Sequence, residues 1–219
     1  MSSNSKTFSS KLGVAIAAME KNQFFEAEAS ALKLLEDARG VFDYDAMAAA
    51  IPVLKSAREA RAKAALEIEA PIHRLEAPIE EGQSFEGGCW LIDPPRVAAD
   101  GRTIRATALE EQVPVIVLCR EPMTRLGLRP IVSIGRTTVR TKIEPAADMD
   151  DPDLDWFLGS IDLLGDHAIS TIDTGIDIVK QIDGLLDRLS AIPEHPGLHD
   201  ALEEACMMAA NALRGQPVE

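Results

Sequence analysis

A mixed α and β chain is predicted, with helices at both ends and a small sheet between them. Three observations carry that expectation. Apolar residues recur at three- and four-residue steps from Leu12 to Ala64 and again from Phe157 to Leu213. Between these stretches lie two short uninterrupted apolar runs, Cys89-Trp90-Leu91-Ile92 and residues 113–119, followed by an alternating run from Thr137 to Ile143. Gly87-Gly88, Asp93-Pro94-Pro95 and Gly135-Arg136 punctuate those runs. The predicted class is therefore mixed α+β and α/β. An N-terminal helical hairpin and a third helix come first, then a small sheet of one βαβ unit plus a β-hairpin, then C-terminal helices packed on it.

The elements follow in order. Ser9-Ser10 is a plausible N-cap for a helix carrying Leu12, Val14, Ile16, Ala18 and Met19, which breaks near Asn22. Phe24, Phe25, Ala27, Ala31, Leu34 and Leu35 define a second helix to Ala38, closed by Arg39-Gly40. Asp43 or Asp45 starts an Ala-rich third helix to about Glu69, which Pro52 either kinks or interrupts. Pro71 and Pro78 mark a connector. After the first strand at 89–92, Asp100 caps a helix running to Gln112, and residues 113–119 form the second strand. A crossover helix returns the chain in the same direction, so these two strands are expected to be parallel. Residues 130–134 and 137–143 flank Gly135-Arg136 as a hairpin with one wet face. Asp151 is the expected N-cap of the next helix, with Pro152 in its first turn and Phe157, Ile161, Leu164 and Ala168 on its inner face. Ile176 to Leu189 form a further stripe, and Pro193 and Pro196 bracket the turn into a last helix. The domain reading is residues 1–80 helical, 81–147 a small α/β unit, and 148–219 C-terminal helices on that unit.

Composition narrows the function classes. The 219 residues are 46% hydrophobic and 26% charged, with no apolar stretch of the roughly 18 residues a membrane span needs. The first residues lack an apolar segment behind a basic patch, and three cysteines without CxxC spacing suit a reducing compartment, so a cytoplasmic location is expected. The net charge of −14 argues against nucleic acid and acidic membrane as partners. That charge is uneven: residues 1–95 carry −5, residues 96–142 carry +5, and residues 143–219 carry −14. Eight of the nine cations in the middle segment are arginine, whose planar fork suits carboxylate or phosphate. The chain's own acidic C-terminal third is the expected partner, with an external anion as the alternative.

Asn22-Gln23-Phe24-Phe25-Glu26-Ala27, preceded by Ala15 and Ala18 and followed by Ala31 and Leu34, resembles the helical hairpin of a tetratricopeptide repeat over residues 11–39. The resemblance implies two closely packed antiparallel helices. Lys11 and Val14 stand at the family's usual Trp and Leu positions, and Arg39-Gly40 replaces its closing proline. One 34-residue period later Phe24 maps to Arg58 and Ala27 to Arg61, so there is no array, and a lone hairpin must pack on the chain or on a partner.

Chemistry is sought at the carboxyl ends of the parallel strands, where open α/β sheets bind ligands. Asp93, Asp100, Arg102, Arg105, Arg120, Glu121 and Thr124 are the candidate anion site there. No GxGxxG or Walker motif is present, and no catalytic residue is assigned. The acidic run from Asp148 to Asp155 lacks calcium-loop spacing and reads as a helix start. His195 and His199 straddle Pro196-Gly197 and read as surface and capping residues, so no metal and no cofactor is expected. Cys89, Cys119 and Cys206 read as small buried hydrophobes. Phe24, Phe25, Met47, Met207 and Met208 are the candidate interaction surface. The leading expectation is a non-enzymatic interaction or scaffold protein that binds a protein partner or itself. The alternative is an α/β binding module or enzyme that holds a phosphorylated or carboxylated small molecule at the carboxyl ends of the parallel strands.

Overall fold

The computed structural model describes residues 3–70 and 72–215, and over them the fold is mixed α and β. The described residues form seven helices and one five-stranded sheet. They divide into two compact units: one holds residues through Ala60, Ile172–Leu186 and those from Pro196 on, the other Arg61–Thr171 and Asp187–His195. Among the described residues no helix is long and apolar enough to cross a membrane.

The first unit is helical. Helix α1 (Ser3–Glu20) begins before the expected Ser9-Ser10 cap because Phe8, buried, extends the inner stripe toward the N-terminus in step with Ala15. It forms a hairpin with α2 (Phe24–Gly40), and α3 (Tyr44–Leu66) follows after another three-residue turn. The two turns have the same hydrogen-bond pattern. Gln23 N–H donates to Ala18 O and Asn22 N–H to Met19 O, as Asp43 N–H does to Ala38 O and Phe42 N–H to Arg39 O. Each is a helix C-terminal motif with one residue in the left-handed region, Asn22 at φ 58° and Phe42 at φ 57°. Gly40 was the expected terminal glycine. Burial of Ala38 and Tyr44 sets the register of this turn instead and leaves position 42 to take the positive φ. Pro52 neither breaks nor ends α3: it lies exposed inside the helix while Ile51, Leu54 and Ala57 hold the opposite face in the core. The first part of α6 (Ile178–Ala191) and all of α7 (Pro196–Gly215) complete this unit. Ion pairs Arg39–Asp183, Lys55–Asp200 and Arg214–Asp45 join segments of the chain far apart in sequence.

The second unit is built on the sheet, ordered β1 (His73–Arg74), β2 (Gly88–Ile92), β3 (Val115–Arg120), β4 (Arg129–Ile134), β5 (Thr138–Ile143). Strands β1, β2 and β3 are parallel, and β4 and β5 join antiparallel. The βαβ unit and the hairpin stand as expected; the two-residue β1 lies inside the segment read as a connector. Helix α4 (Ala98–Glu110) covers the face carrying Trp90, Ile92, Val115, Val117, Cys119 and Val132. Gly101 permits that approach, since a methyl there would lie 3.1 Å from Val117 Cγ1 and 3.4 Å from Ile92 Cγ1. Helix α5 (Leu154–Ser170) lies against β3, β4 and β5 on the other face. Leu91, Ile116, Leu118 and Ile131 point to that face by strand alternation and are fully buried.

Two helix starts differ from expectation. Asp100 is the third residue of α4 and not its cap: its carboxylate accepts from Val97 N–H at 2.8 Å, so the helix begins earlier. Asp153, not Asp151, caps α5 by accepting from Trp156 N–H at 2.7 Å. Asp148 is spent on an Asx turn, accepting from Asp150 N–H and Asp151 N–H.

Candidate functional site

The carboxyl ends of β1, β2 and β3 bring together Arg74, Asp93 and Arg120. Strand β1 ends on Arg74, β3 ends on Arg120, and Asp93 is the first residue after β2, so parallel pairing sets the three side by side. Asp93 is held by both guanidinium groups. Arg120 Nη2 donates to its Oδ2 at 2.9 Å and Nε to its Oδ1, while Arg74 Nη1 donates to Oδ2 at 2.9 Å. The second donors of both arginines reach backbone: Arg120 Nη2 to Met149 O at 2.6 Å, and Arg74 Nη2 to Asp150 O. Arg120 is 4% exposed, with its guanidinium carbon 6.0 Å from the centre of the Trp156 ring. Arg129, which opens β4 at the same end, donates to Glu121 O at 2.7 Å. Burial, and then the neighbouring Arg120 charge, pull its pKa below the usual arginine value.

Of the seven residues expected at an anion site, Asp93 and Arg120 converge and Glu121 lies next to them, its carboxylate paired with Arg140 at 2.7 Å. The other four serve elsewhere. Asp100 caps α4. Arg102 is exposed on that helix and pairs with none of the described residues. Thr124 closes the 124–128 loop, its hydroxyl donating to Leu128 O at 3.0 Å and accepting from Leu128 N–H at 3.1 Å. Arg105 fills the gap where β3 and β4 separate, because their pairing covers only Cys119↔Val132 and Arg120↔Ile131. There its Nη2 donates to Val117 O at 2.7 Å, and its Nη1 donates to Ser133 Oγ at 2.7 Å and Ala191 O at 2.8 Å. Glu194 lies 3.6 Å away as its counter-charge. The middle arginines therefore draw on several sources: Glu194 from the acidic C-terminal third, Asp93 and Glu121 from nearer by.

Sequence reasoning missed Arg74 and Arg129. Two-residue β1 has no periodicity to read, and Arg129 follows an irregular loop. A second polar cluster was also missed, in the helical unit. Arg58 Nε donates to Glu28 Oε1 at 2.8 Å, and its Nη1 stands 3.3 Å from His199 Nε2. An arginine only donates, so Nε2 is the acceptor nitrogen of that ring. All three residues are at least 94% buried.

Both C-terminal histidines correct the surface reading: His195 is 5% and His199 1% exposed. His195 lies flat against Gly165 of α5, where any β-carbon would collide with the ring, and its Nε2 is 3.3 Å from Asp166. The three cysteines are buried and unpaired, and burial pushes their thiols up to about 11 for Cys89 and about 12 for Cys119 and Cys206.

The expected interaction residues separate by burial. Met47 is fully buried, which corrects its surface reading: it belongs to the helical core. Phe24, like Met19, packs on the cluster of Ala18, Ala27 and Ala57, with the Phe25 ring 6.2 Å from that of Phe24. Met207 and Met208 are 46% and 57% exposed. An aromatic not singled out from sequence is more conspicuous. Phe42 is 56% exposed beside Val41 at 52%, with Arg39 over its ring at 5.0 Å and Tyr44 edge-on at 6.5 Å.

No protein-family model, no curated protein and no solved structure matches the chain, so the likeness to a tetratricopeptide hairpin rests on residues 11–39 alone.

Proposed function

We propose that this chain is a non-enzymatic cytoplasmic interaction protein that self-associates through the α2–α3 turn of its helical unit. The observation that carries this reading is Phe42. A bulky aromatic in the left-handed region costs about 1 kcal/mol, and position 42 is equivalent to Asn22, whose short polar side chain tolerates that conformation better. The ring is nevertheless more than half exposed and held in place from one side. Arg39 stacks on it and is itself fixed by two 2.7 Å bonds to Asp183. A strained, buttressed and exposed aromatic suits burial against another protein surface.

Arg39 is paired with Asp183 and Asp45 with Arg214, while Asp43 keeps its negative charge and accepts from Ala46 N–H. Covering the free half of the ring removes roughly 100 Å² of apolar surface per copy, about 2.5 kcal/mol. The cytoplasmic setting is supported by three unpaired thiols. Sedimentation velocity over a hundredfold concentration range tests the proposal. The mass is expected to rise toward a dimer as concentration increases; a monomer across the whole range would refute self-association.

A further inference from the structure

We propose that the carboxyl ends of β1, β2 and β3 bind the dianion of a phosphate monoester between Arg74, Arg120 and Arg129. Two guanidinium groups, of Arg74 and Arg120, hold the Asp93 carboxylate there, with the Arg129 charge close enough to feel both Arg120 and Asp93, and Glu121 is already paired with Arg140. Three planar guanidinium forks gathered at one sheet edge suit the several acceptor oxygens of a phosphoryl dianion.

The arginines are also incompletely used. Arg120 is 96% buried, yet its Nη1 has no hydrogen-bond partner among the described residues, and neither has the buried Nε of Arg129. A buried donor left without an acceptor is costly, and native folds seldom keep one without a reason. Arg74 Nη2 meets a neutral backbone oxygen, of Asp150, and Arg120 Nη2 divides its bonds between Asp93 and the neutral Met149 O. A charged phosphoryl oxygen is a stronger acceptor than a carbonyl, so a dianion entering from the side of residues 149–150 would take over those bonds and reach the idle Nη1. The position agrees with where open α/β sheets hold ligands. Asp93 is the resident anion between the Arg74 and Arg120 forks, with which the incoming dianion competes.

Binding has a built-in reporter. Trp156 lies 6.0 Å from the Arg120 guanidinium and donates its indole N–H to Glu144 O at 3.1 Å, so displacement of the covering segment changes its surroundings. The experiment titrates the full chain at low ionic strength with inorganic phosphate, glycerol 3-phosphate and succinate, by calorimetry and Trp156 fluorescence. Saturable millimolar or tighter binding of both phosphates is expected, with succinate at least tenfold weaker. Arg129→Gln should weaken phosphate binding by about tenfold or more, and Asp93→Asn should tighten it several-fold by removing the resident competing charge. Arg74→Gln, on the edge strand, substitutes if either variant fails to fold. Absence of saturable binding, equal binding of succinate, or unchanged phosphate affinity in a folded arginine variant would overturn the proposal.

Discussion

Replacing Gly135 by alanine should destabilise the α/β unit by about 3 kcal/mol, and the reason lies in contact, not conformation. An added methyl would sit 2.5 Å from three backbone atoms at the end of α6: Ala191 N, Ser190 C and Ser190 O. Comfortable carbon contacts are about 3.5–4.0 Å, so the β4–β5 turn must retreat by roughly 1 Å. Three bonds span that junction: Arg136 N–H to Ser190 Oγ at 2.7 Å, Ser133 Oγ to Ala191 O at 2.5 Å, and Arg105 Nη1 to Ala191 O at 2.8 Å. Weakening them costs up to about 1 kcal/mol each, and overpacking adds roughly 1–3 kcal/mol. Relief of unfolded-state entropy on losing glycine returns about 0.4–1 kcal/mol. For a chain of this size the net corresponds to a melting temperature lowered by about 6–12 °C. Gly159→Ala is the matched control, because nothing lies within 4 Å of its added methyl on α5. That variant should melt at or slightly above the parent. Circular dichroism melts of the two proteins decide the matter: if Gly135→Ala melts within about 2 °C of the control, the close approach is wrong.

Other outcomes follow from the same reasoning. Gly165→Ala should lower the melt by several degrees, because the His195 ring occupies the space of its methyl; His195→Ala in the same background should recover part of the loss. Arg58→Ala should destabilise the fold in a denaturant titration by removing a charged partner 2.8 Å from the buried Glu28 carboxylate, and Arg58→Ala with Glu28→Ala together should cost less than the two single changes summed. The cysteine thiols, raised by burial above their ordinary value of 9.0, favour folding while neutral. The unfolded state releases those protons first, so stability should hold below about pH 9 and fall as pH rises toward 12. A thiol-reactive dye should accordingly label them at pH 8 only after unfolding; labelling of the native protein at the unfolded rate would contradict their burial.

What was legible in the sequence depended on whether local pattern or distant contact decided the structure. Strands β2 and β3 and the β4–β5 hairpin were readable because uninterrupted or alternating apolar runs end on Gly and Pro. Strand β1 exists through its pairing with Trp90 and Leu91, and two residues cannot display a period. The meeting of Asp93 with Arg120 was also readable, since parallel strands joined by a crossover helix carry their carboxyl ends to one edge. Arg105 lies close in sequence to that site, yet the parting of β3 and β4 draws it into the sheet. His195 and His199 resembled surface residues beside Pro196-Gly197. Their burial depends on a missing side chain at Gly165 and on Arg58, both far away in sequence.

Phe42→Asn tests the central claim most directly. Asparagine tolerates the left-handed position, as Asn22 does, and removes the exposed ring while leaving the Arg39–Asp183 pair intact. The strain relieved and the lost contacts to Arg39 and Tyr44 are each about 1 kcal/mol, so the melt of the dilute protein should change by no more than about 3 °C. Sedimentation equilibrium should show self-association weakened by at least about tenfold relative to the parent. An unchanged dimerisation constant in a folded Phe42→Asn protein would contradict the claim that this turn is the interaction surface.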